Sequence, residues 1–117
     1  ALKFWGGTPS ILPFAIAANS IHYITKLSIK KINLHNRALL LPMIDALAPY
    51  CVSPTNLTLA SGTCILNFAD KQEAVLTALR KNNISVDVRK YGIRISPHIY
   101  NDETEIHQLV ELMKPYV

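Results

Sequence analysis

The spacing of the apolar residues changes near residue 49 of this 117-residue chain. Over residues 11–27 and 29–48, apolar side chains recur three and four positions apart, the spacing that places them on one side of a helix. After residue 49, short runs alternate between apolar and polar side chains, which is typical of half-buried strands. We therefore expect two long helices followed by a segment that mixes strands and helices.

Strands and helices are predicted in a fixed order in the second part of the chain. The predicted strands cover residues 56–60, 63–68, 84–89 and 93–96. Tyr91 and Gly92 supply a turn between the last two strands. Helices are predicted over about 70–81 and from residue 101 onward. This order predicts an α+β fold, with helices on one face of a mostly antiparallel sheet.

Several residues make specific predictions about where helices begin and bend. Pro42 lies inside the second helical pattern, where proline removes a backbone donor and clashes with the preceding turn, so we expect a kink or a break there. Asp70 and Glu73 have the spacing of a capping box at the start of the third helix. Asn101 or Asp102 is expected to cap the last helix.

Composition and charge exclude some classes of protein. The net charge is +4, from 12 Lys and Arg residues against 8 Asp and Glu residues, but the chain has no run of five like charges. We therefore expect no nucleic-acid partner. No apolar stretch reaches about 18 residues, so we expect no helix that spans a membrane.

The apolar content and the cysteines bear on partners and location. Half of the residues are hydrophobic, which is high for a small domain and predicts that some apolar surface is covered by a partner subunit or a neighbouring domain. Cys51 and Cys64 form no CxxC pair and have no nearby histidine at the spacing of a zinc site. Two unpaired thiols predict a reducing, cytoplasmic location.

The first candidate site is the segment Gly6-Gly7-Thr8, which precedes a predicted helix beginning at Pro9 or Ser10. The first turn of a helix presents free amide groups and the positive end of the helix dipole, both of which attract phosphate. Glycines also allow an anion to approach the backbone closely. From these residues alone, the competing interpretation is an ordinary capped helix after a turn.

The second candidate is Arg94. It is predicted to lie in the middle of a strand, on the face opposite Ile93 and Ile95, and to share that polar face with Ser96 and His98. A guanidinium group can bind both oxygens of a carboxylate, and a strand would hold it rigidly. The competing interpretation is a surface arginine paired across strands with Asp87.

No metal site or hydrolytic triad is predicted. The histidines are His22, His35, His98 and His107. Their positions form no set with the spacing of metal ligands. No arrangement of serine, histidine and aspartate stands out either.

Two segments together resemble a known family. Residues 4–11 (FWGGTPSI) resemble the GTP-S/N segment of the class V aminotransferase superfamily, and residues 86–101 (VDVRKYGIRISPHIYN) resemble its closing D-x-R … I-R-x-S-P-H-x-Y-N signature. The superfamily includes kynureninases, cysteine desulfurases, selenocysteine lyases and isopenicillin epimerase-like proteins. Residues 35–37 also fit the helix that members carry between the two motifs, so the resemblance covers nearly the whole chain.

The resemblance implies a fold-type I pyridoxal 5'-phosphate enzyme that acts on an amino acid as a homodimer. Residues 1–117 would be its carboxy-terminal region, with 1–48 as a helical connecting segment and 49–117 as the α+β small domain. By similarity, Gly7 and Thr8 would contact the cofactor phosphate at the neighbouring subunit's site. By similarity, Arg94 would bind the α-carboxylate of the substrate.

The chain also departs from the family's pattern. The lysine that forms the Schiff base, the aspartate that pairs with the pyridine nitrogen and the aromatic ring stacker belong to a large domain that is missing here. We therefore expect this chain alone to be inactive and to bind no cofactor. Residues 90–92 form a short loop without the nucleophilic cysteine of the desulfurases, which favours kynureninase-like or epimerase-like members.

Two alternatives stay open. The parent enzyme could instead be a relative of cysteine desulfurases or selenocysteine lyases. The chain could also be a non-catalytic module for dimerisation or interaction, which its apolar leading helices would favour. Whether the parent is a transferase, a lyase or a hydrolase does not follow from these residues.

Overall fold

A computed structural model describes residues 10–54, 56 and 62–117 of the chain. In these residues the chain forms four α-helices and a three-stranded antiparallel sheet, which confirms the predicted α+β class. The helices are α1 (Ile11–Leu27), α2 (Ile29–Ala46), α3 (Gln72–Lys81) and α4 (Glu103–Met113). The strands are β1 (Cys64–Leu66), β2 (Asp87–Arg89) and β3 (Gly92–Ile95).

The chain divides into two compact units, Ala1–Lys31 and Ile32–Val117. In the first unit, no residue of α1 is buried, although the whole helix is described and is rich in apolar residues. Its large exposed side chains are Ile11, Leu12, Phe14, Ile16, Ile21 and Tyr23. An apolar helix with no buried face is unusual for a helix of a globular protein. Among the described residues, no helix is both long enough and apolar enough to cross a lipid bilayer.

The second unit is built around one hydrophobic core. The core side chains from the helices are Leu39, Leu40, Met43, Ile44, Val75, Leu76, Leu79, Ile106, Leu109, Val110 and Met113. Cys64 and Leu66 of β1 and Ile93 and Ile95 of β3 contribute from the sheet, and Leu47 and Phe68 contribute from the connecting segments. In β1, and over Ile93–Ile95 of β3, buried side chains alternate with a partly exposed one, as the two-residue period of the sequence predicts, whereas no residue of β2 is buried.

Strand β3 is central in the sheet, which has the order β1-β3-β2. The predicted hairpin is confirmed, because β2 pairs antiparallel with β3 and places Arg89 opposite Gly92. Gly92 has a φ of 141°, and a Cβ atom added there would lie 2.2 Å from the carbonyl oxygen of Leu66. The close approach of β1 to β3 therefore requires glycine at this position.

The predicted helix ends are partly confirmed. Asp102 caps α4 in a capping box: its carboxylate accepts from the Glu105 amide at 2.9 Å, and the Glu105 carboxylate accepts from the Asp102 amide at 3.2 Å. The capping box predicted from Asp70 and Glu73 is wrong. Ala69, with a φ of 50°, begins a 3-10 turn that contains Asp70, and α3 starts only at Gln72 without a side-chain cap.

Two other predictions have different outcomes. Helix α2 does not break at Pro42 but continues to Ala46. Its neighbours Leu39, Met43 and Ile44 are buried while Pro42 is exposed, so core packing holds both sides of the proline in one helix. The strand predicted over residues 56–60 falls outside the described residues, apart from Asn56, which lies in a bend.

Candidate functional site

Arg94 lies within a strand, as predicted, and that strand, β3, is the central one of the sheet. Its neighbours Ile93 and Ile95 are 0% and 5% exposed and point into the core, so the arginine projects from the opposite face of the sheet. The register sets Arg94 opposite Ile65 of β1 on one side and Asp87 of β2 on the other. A residue in the middle of a central strand has a backbone that is fixed on both sides.

The guanidinium group of Arg94 forms an ion pair with Asp87. Arg94 Nη2 lies 2.8 Å from Asp87 Oδ2, and Arg89 Nη2 lies 2.6 Å from the same oxygen. The competing interpretation from the sequence, a cross-strand pair with Asp87, is therefore what the structure contains. One carboxylate faces two guanidinium groups, so the cluster of Asp87, Arg89 and Arg94 keeps one positive charge.

These ion pairs are exposed to solvent. The side chains of Arg94, Asp87 and Arg89 are 38%, 42% and 53% exposed. Pairs with this exposure contribute at most about 1 kcal/mol each, because water and salt screen the charges. Asp87 therefore orients Arg94 but binds it only weakly. A second carboxylate could share the guanidinium group.

A groove of about 360 Å³ runs beside Arg94. Its walls are residues 82–86, the end of β3, the turn that follows β3 and the first half of α4. Arg94, Ser96, Asn101 and Glu105 are among its polar lining residues. The Nε atom of Arg94 is buried and has no hydrogen-bond partner among the described residues. A buried donor without a hydrogen bond is rare in folded proteins.

Asn101 holds the turn between β3 and α4 in place. Its Oδ1 accepts a hydrogen bond from the His98 amide at 2.9 Å, and its own amide donates to the His98 carbonyl oxygen at 2.9 Å. Its Nδ2 donates to Glu105 Oε2 at 3.0 Å. Its carbonyl oxygen lies 3.1 Å from Nε2 of His35 on α2. One residue thus connects the turn, α4 and α2, and fixes the wall of the groove.

The structure separates the residues that the sequence placed on one polar face. Ser96, which is predicted to share a polar face with Arg94, lines the groove together with it. His98 does not line it, and its ring packs against the ring of Tyr100 with 5.7 Å between the ring centroids. The sequence did not predict the roles of Asn101 and Glu105. The only available indication was the Asp102-Glu105 capping spacing, which places Asn101 immediately before the helix.

The predicted phosphate contacts, Gly7 and Thr8, lie outside the described residues, so they stay a prediction. No lysine occurs among the residues lining the groove, so none of them could bond covalently to pyridoxal phosphate. Among the described residues, no group of three or more His, Cys, Asp or Glu side chains could hold a metal ion.

Comparisons with known proteins gave no relative. No model of a protein family matches the chain, and neither a curated protein nor a solved structure matches it. The assignment of a function therefore depends on the geometry around Arg94 and on the sequence motifs.

Proposed function

We propose that this chain is the carboxy-terminal part of a pyridoxal-phosphate enzyme that resembles class V aminotransferases and acts on an amino acid. In this proposal, Arg94 binds the α-carboxylate of the substrate. The observation that carries it is that Arg94, on the central strand, lines a groove and has a buried Nε atom without a hydrogen-bond partner among the described residues.

The contacts of Arg94 leave room for a second carboxylate. Nη2 is directed to Asp87, while the buried Nε has no acceptor among the described residues. A buried polar group without a hydrogen bond costs about 1–3 kcal/mol, and a bound carboxylate would recover part of that cost. The extra positive charge of the Asp87, Arg89 and Arg94 cluster also favours an anion over a neutral ligand.

Ser96 and Asn101 would help to orient the substrate. Both line the groove near the end of β3, and both carry side chains that can donate a hydrogen bond. The contacts of Asn101 with His98, Glu105 and His35 keep this wall rigid. Rigid positioning is what an enzyme requires of a substrate-binding group.

The cofactor, when bound in the parent enzyme, supplies the electron sink for chemistry at the α-carbon of the amino acid. By the resemblance, its lysine partner belongs to a domain outside this sequence, and its phosphate would meet Gly7 and Thr8. This chain's own contribution is to bind and orient the substrate carboxylate. The parent could be a transferase, a lyase or a hydrolase of the kynureninase-like or epimerase-like kind.

Binding of L-alanine, compared with L-alaninamide, tests the proposal. The two probes differ in the carboxylate, so wild-type protein should bind L-alanine measurably more tightly in an NMR titration. Arg94→Ala should abolish that preference. Arg89→Ala is the matched control: it removes the same charge and a partner of the same Asp87 oxygen but no residue that lines the groove, so it should weaken the preference without abolishing it. Equal binding of both probes, or a preference that survives in Arg94→Ala, would rule the proposal out.

A second candidate is a non-catalytic interaction module. The observation that favours it is α1, a helix of 17 residues with no buried side chain. A helix with this much exposed apolar surface is typical of an element that a partner covers. In that case the chain would associate with a partner, and the Arg94 groove would show no preference for L-alanine over L-alaninamide.

A further inference from the structure

The segment that follows α2 runs beside β1 as an additional edge of the sheet. The amide of Val52 donates to the carbonyl oxygen of Ile65 at 2.9 Å, and the amide of Asn67 donates to the carbonyl oxygen of Tyr50 at 2.8 Å. Cys51 and Leu66 form an antiparallel bridge between these two hydrogen bonds. The segment is therefore held in register with β1.

This register brings the two cysteines together. Cys51 stands opposite Leu66, and Cys64 lies two residues before Leu66 on the same inward face of β1, so the two cysteines are diagonal neighbours. Their sulfur atoms are 3.3 Å apart, and both are free thiols. Cys64 is 0% exposed, whereas Cys51 is half-buried at the edge of the sheet.

We propose that Cys51 and Cys64 are a redox modification site that forms a reversible intrachain disulfide, with Cys51 reacting first and Cys64 resolving. The proposal is independent of the carboxylate site, because neither cysteine lines the Arg94 groove. Closing the bond requires the sulfur atoms to approach from 3.3 Å to about 2.05 Å. The segment around Cys51 can make that movement because it lies at the edge of the sheet. Among the described strands, it pairs only with β1.

The order of reaction follows from access to solvent. An oxidant reaches Cys51 before it reaches Cys64, which lies entirely in the core. Burial, followed by the hydrogen bond and charge of Cys51, raises the pKa of the Cys64 thiol to about 12. Because the thiolate is the reactive form, Cys64 is a poor initial nucleophile and keeps its proton.

The reaction balances with a hydroperoxide as the oxidant. The Cys51 thiolate attacks the outer peroxide oxygen and becomes a sulfenic acid, and the other oxygen leaves with a proton as an alcohol, or as water from hydrogen peroxide. The Cys64 sulfur then attacks the Cys51 sulfur. Hydroxide leaves and takes the Cys64 proton as water, so two thiols and one peroxide yield one disulfide.

The test treats the whole chain with hydrogen peroxide, then denatures it in excess iodoacetamide and measures its intact mass. The wild-type chain is expected to stay a single chain, to lose the mass of two hydrogen atoms and to take up no alkyl group. After reduction with dithiothreitol, both cysteines should be alkylated again. Cys64→Ala should accumulate a Cys51 sulfenic acid, which dimedone traps. Cys51→Ala should be oxidised about tenfold more slowly than wild type, because the remaining thiol is buried and protonated.

The mass of the wild-type product needs no variant, so the proposal stays testable if a core substitution unfolds the chain. Three results would overturn it. In the first, both wild-type thiols can still be alkylated at peroxide concentrations that oxidise Cys64→Ala. In the second, the disulfide joins two chains, and in the third, dimedone labels Cys64 in the wild-type protein. A simple buried thiol contact predicts the first of these results.

Discussion

Asp87 and Arg94 lie directly opposite each other on β2 and β3, and their charged groups meet at 2.8 Å. Arg89 meets the same Asp87 oxygen at 2.6 Å. The carboxylate therefore orients the arginine that lines the groove, while the second arginine offsets its negative charge. We therefore expect the charge on Asp87 to limit how strongly Arg94 binds another anion.

Asp87→Asn should strengthen the binding of L-alanine. The substitution removes the carboxylate that competes for Arg94 and raises the net charge of the cluster by one. An exposed ion pair is equivalent to at most about 1 kcal/mol, so the affinity should rise by up to about fivefold. An NMR titration at low salt measures the affinity. Arg89→Ala is the control, because it lowers the net charge of the cluster by one instead of raising it. Weaker binding in Asp87→Asn would contradict competition and would make Asp87 only a positioning residue.

Gly92→Ala should destabilise the second unit strongly. The φ of 141° and the distance of 2.2 Å from the added Cβ to the Leu66 carbonyl oxygen both oppose a side chain. The strain alone costs at least about 1–3 kcal/mol, and urea denaturation measures it. Gly62→Ala is the matched control, since its Cβ would lie 3.4 Å from Asn36 Nδ2, close to an ordinary contact. Equal stability of the two variants would argue against the β1–β3 approach described above.

Asp102→Ala should lower the free energy of unfolding by about 1 kcal/mol, the usual contribution of a capping side chain. The reason is the loss of the hydrogen bond from the Glu105 amide at the start of α4. Asp70→Ala should have little effect, because Asp70 lies within a 3-10 turn and caps no helix. Thermal unfolding followed by circular dichroism measures both. If Asp70→Ala lost more stability than Asp102→Ala, Asp70 would have to cap α3, which would contradict the structure.

Glu111 should show a pH-dependent interaction with Lys114. The hydrogen bond from Lys114, and then the charges of Lys114 and His107, hold the pKa of the Glu111 carboxyl below its usual range. A carboxyl whose pKa is depressed by folding adds stability above its unfolded pKa, and that stability is lost as the pH falls through the folded value. Lys114→Ala should raise the Glu111 pKa toward its usual value, as read by carbon-13 NMR. His107→Ala is expected to produce a smaller rise, and no rise in Lys114→Ala would contradict the assignment.

The two-residue period was enough to predict the central strand. Ile93, Arg94 and Ile95 alternate in the sequence, and their burial alternates in the same way. The period is a direct consequence of strand geometry, so it can be read from the sequence without knowledge of the tertiary structure. The cross-strand partner of Arg94 could also be predicted, because the position of the hairpin turn sets the register that places Asp87 opposite Arg94.

Features that depend on distant parts of the chain could not be predicted. Asp70-Glu73 and Asp102-Glu105 have the same spacing, yet only the second forms a capping box, because Ala69 turns the chain before α3. The contact between His35 and Asn101 joins residues 66 positions apart. The continuation of α2 through Pro42 reflects burial on both sides of the proline. The first outcome follows from the backbone at Ala69, and the other two depend on packing and contacts that no local pattern contains.

The nitrogen-15 resonance of the Arg94 Nε–H group tests the central claim most directly, since this donor has no partner among the described residues and belongs to a residue that lines the groove. Titration with L-alanine should shift this resonance and saturate it, while L-alaninamide leaves it nearly unchanged. An Arg94 Nε–H resonance that stays fixed as L-alanine is added, or that moves equally with L-alaninamide, would contradict carboxylate binding at Arg94.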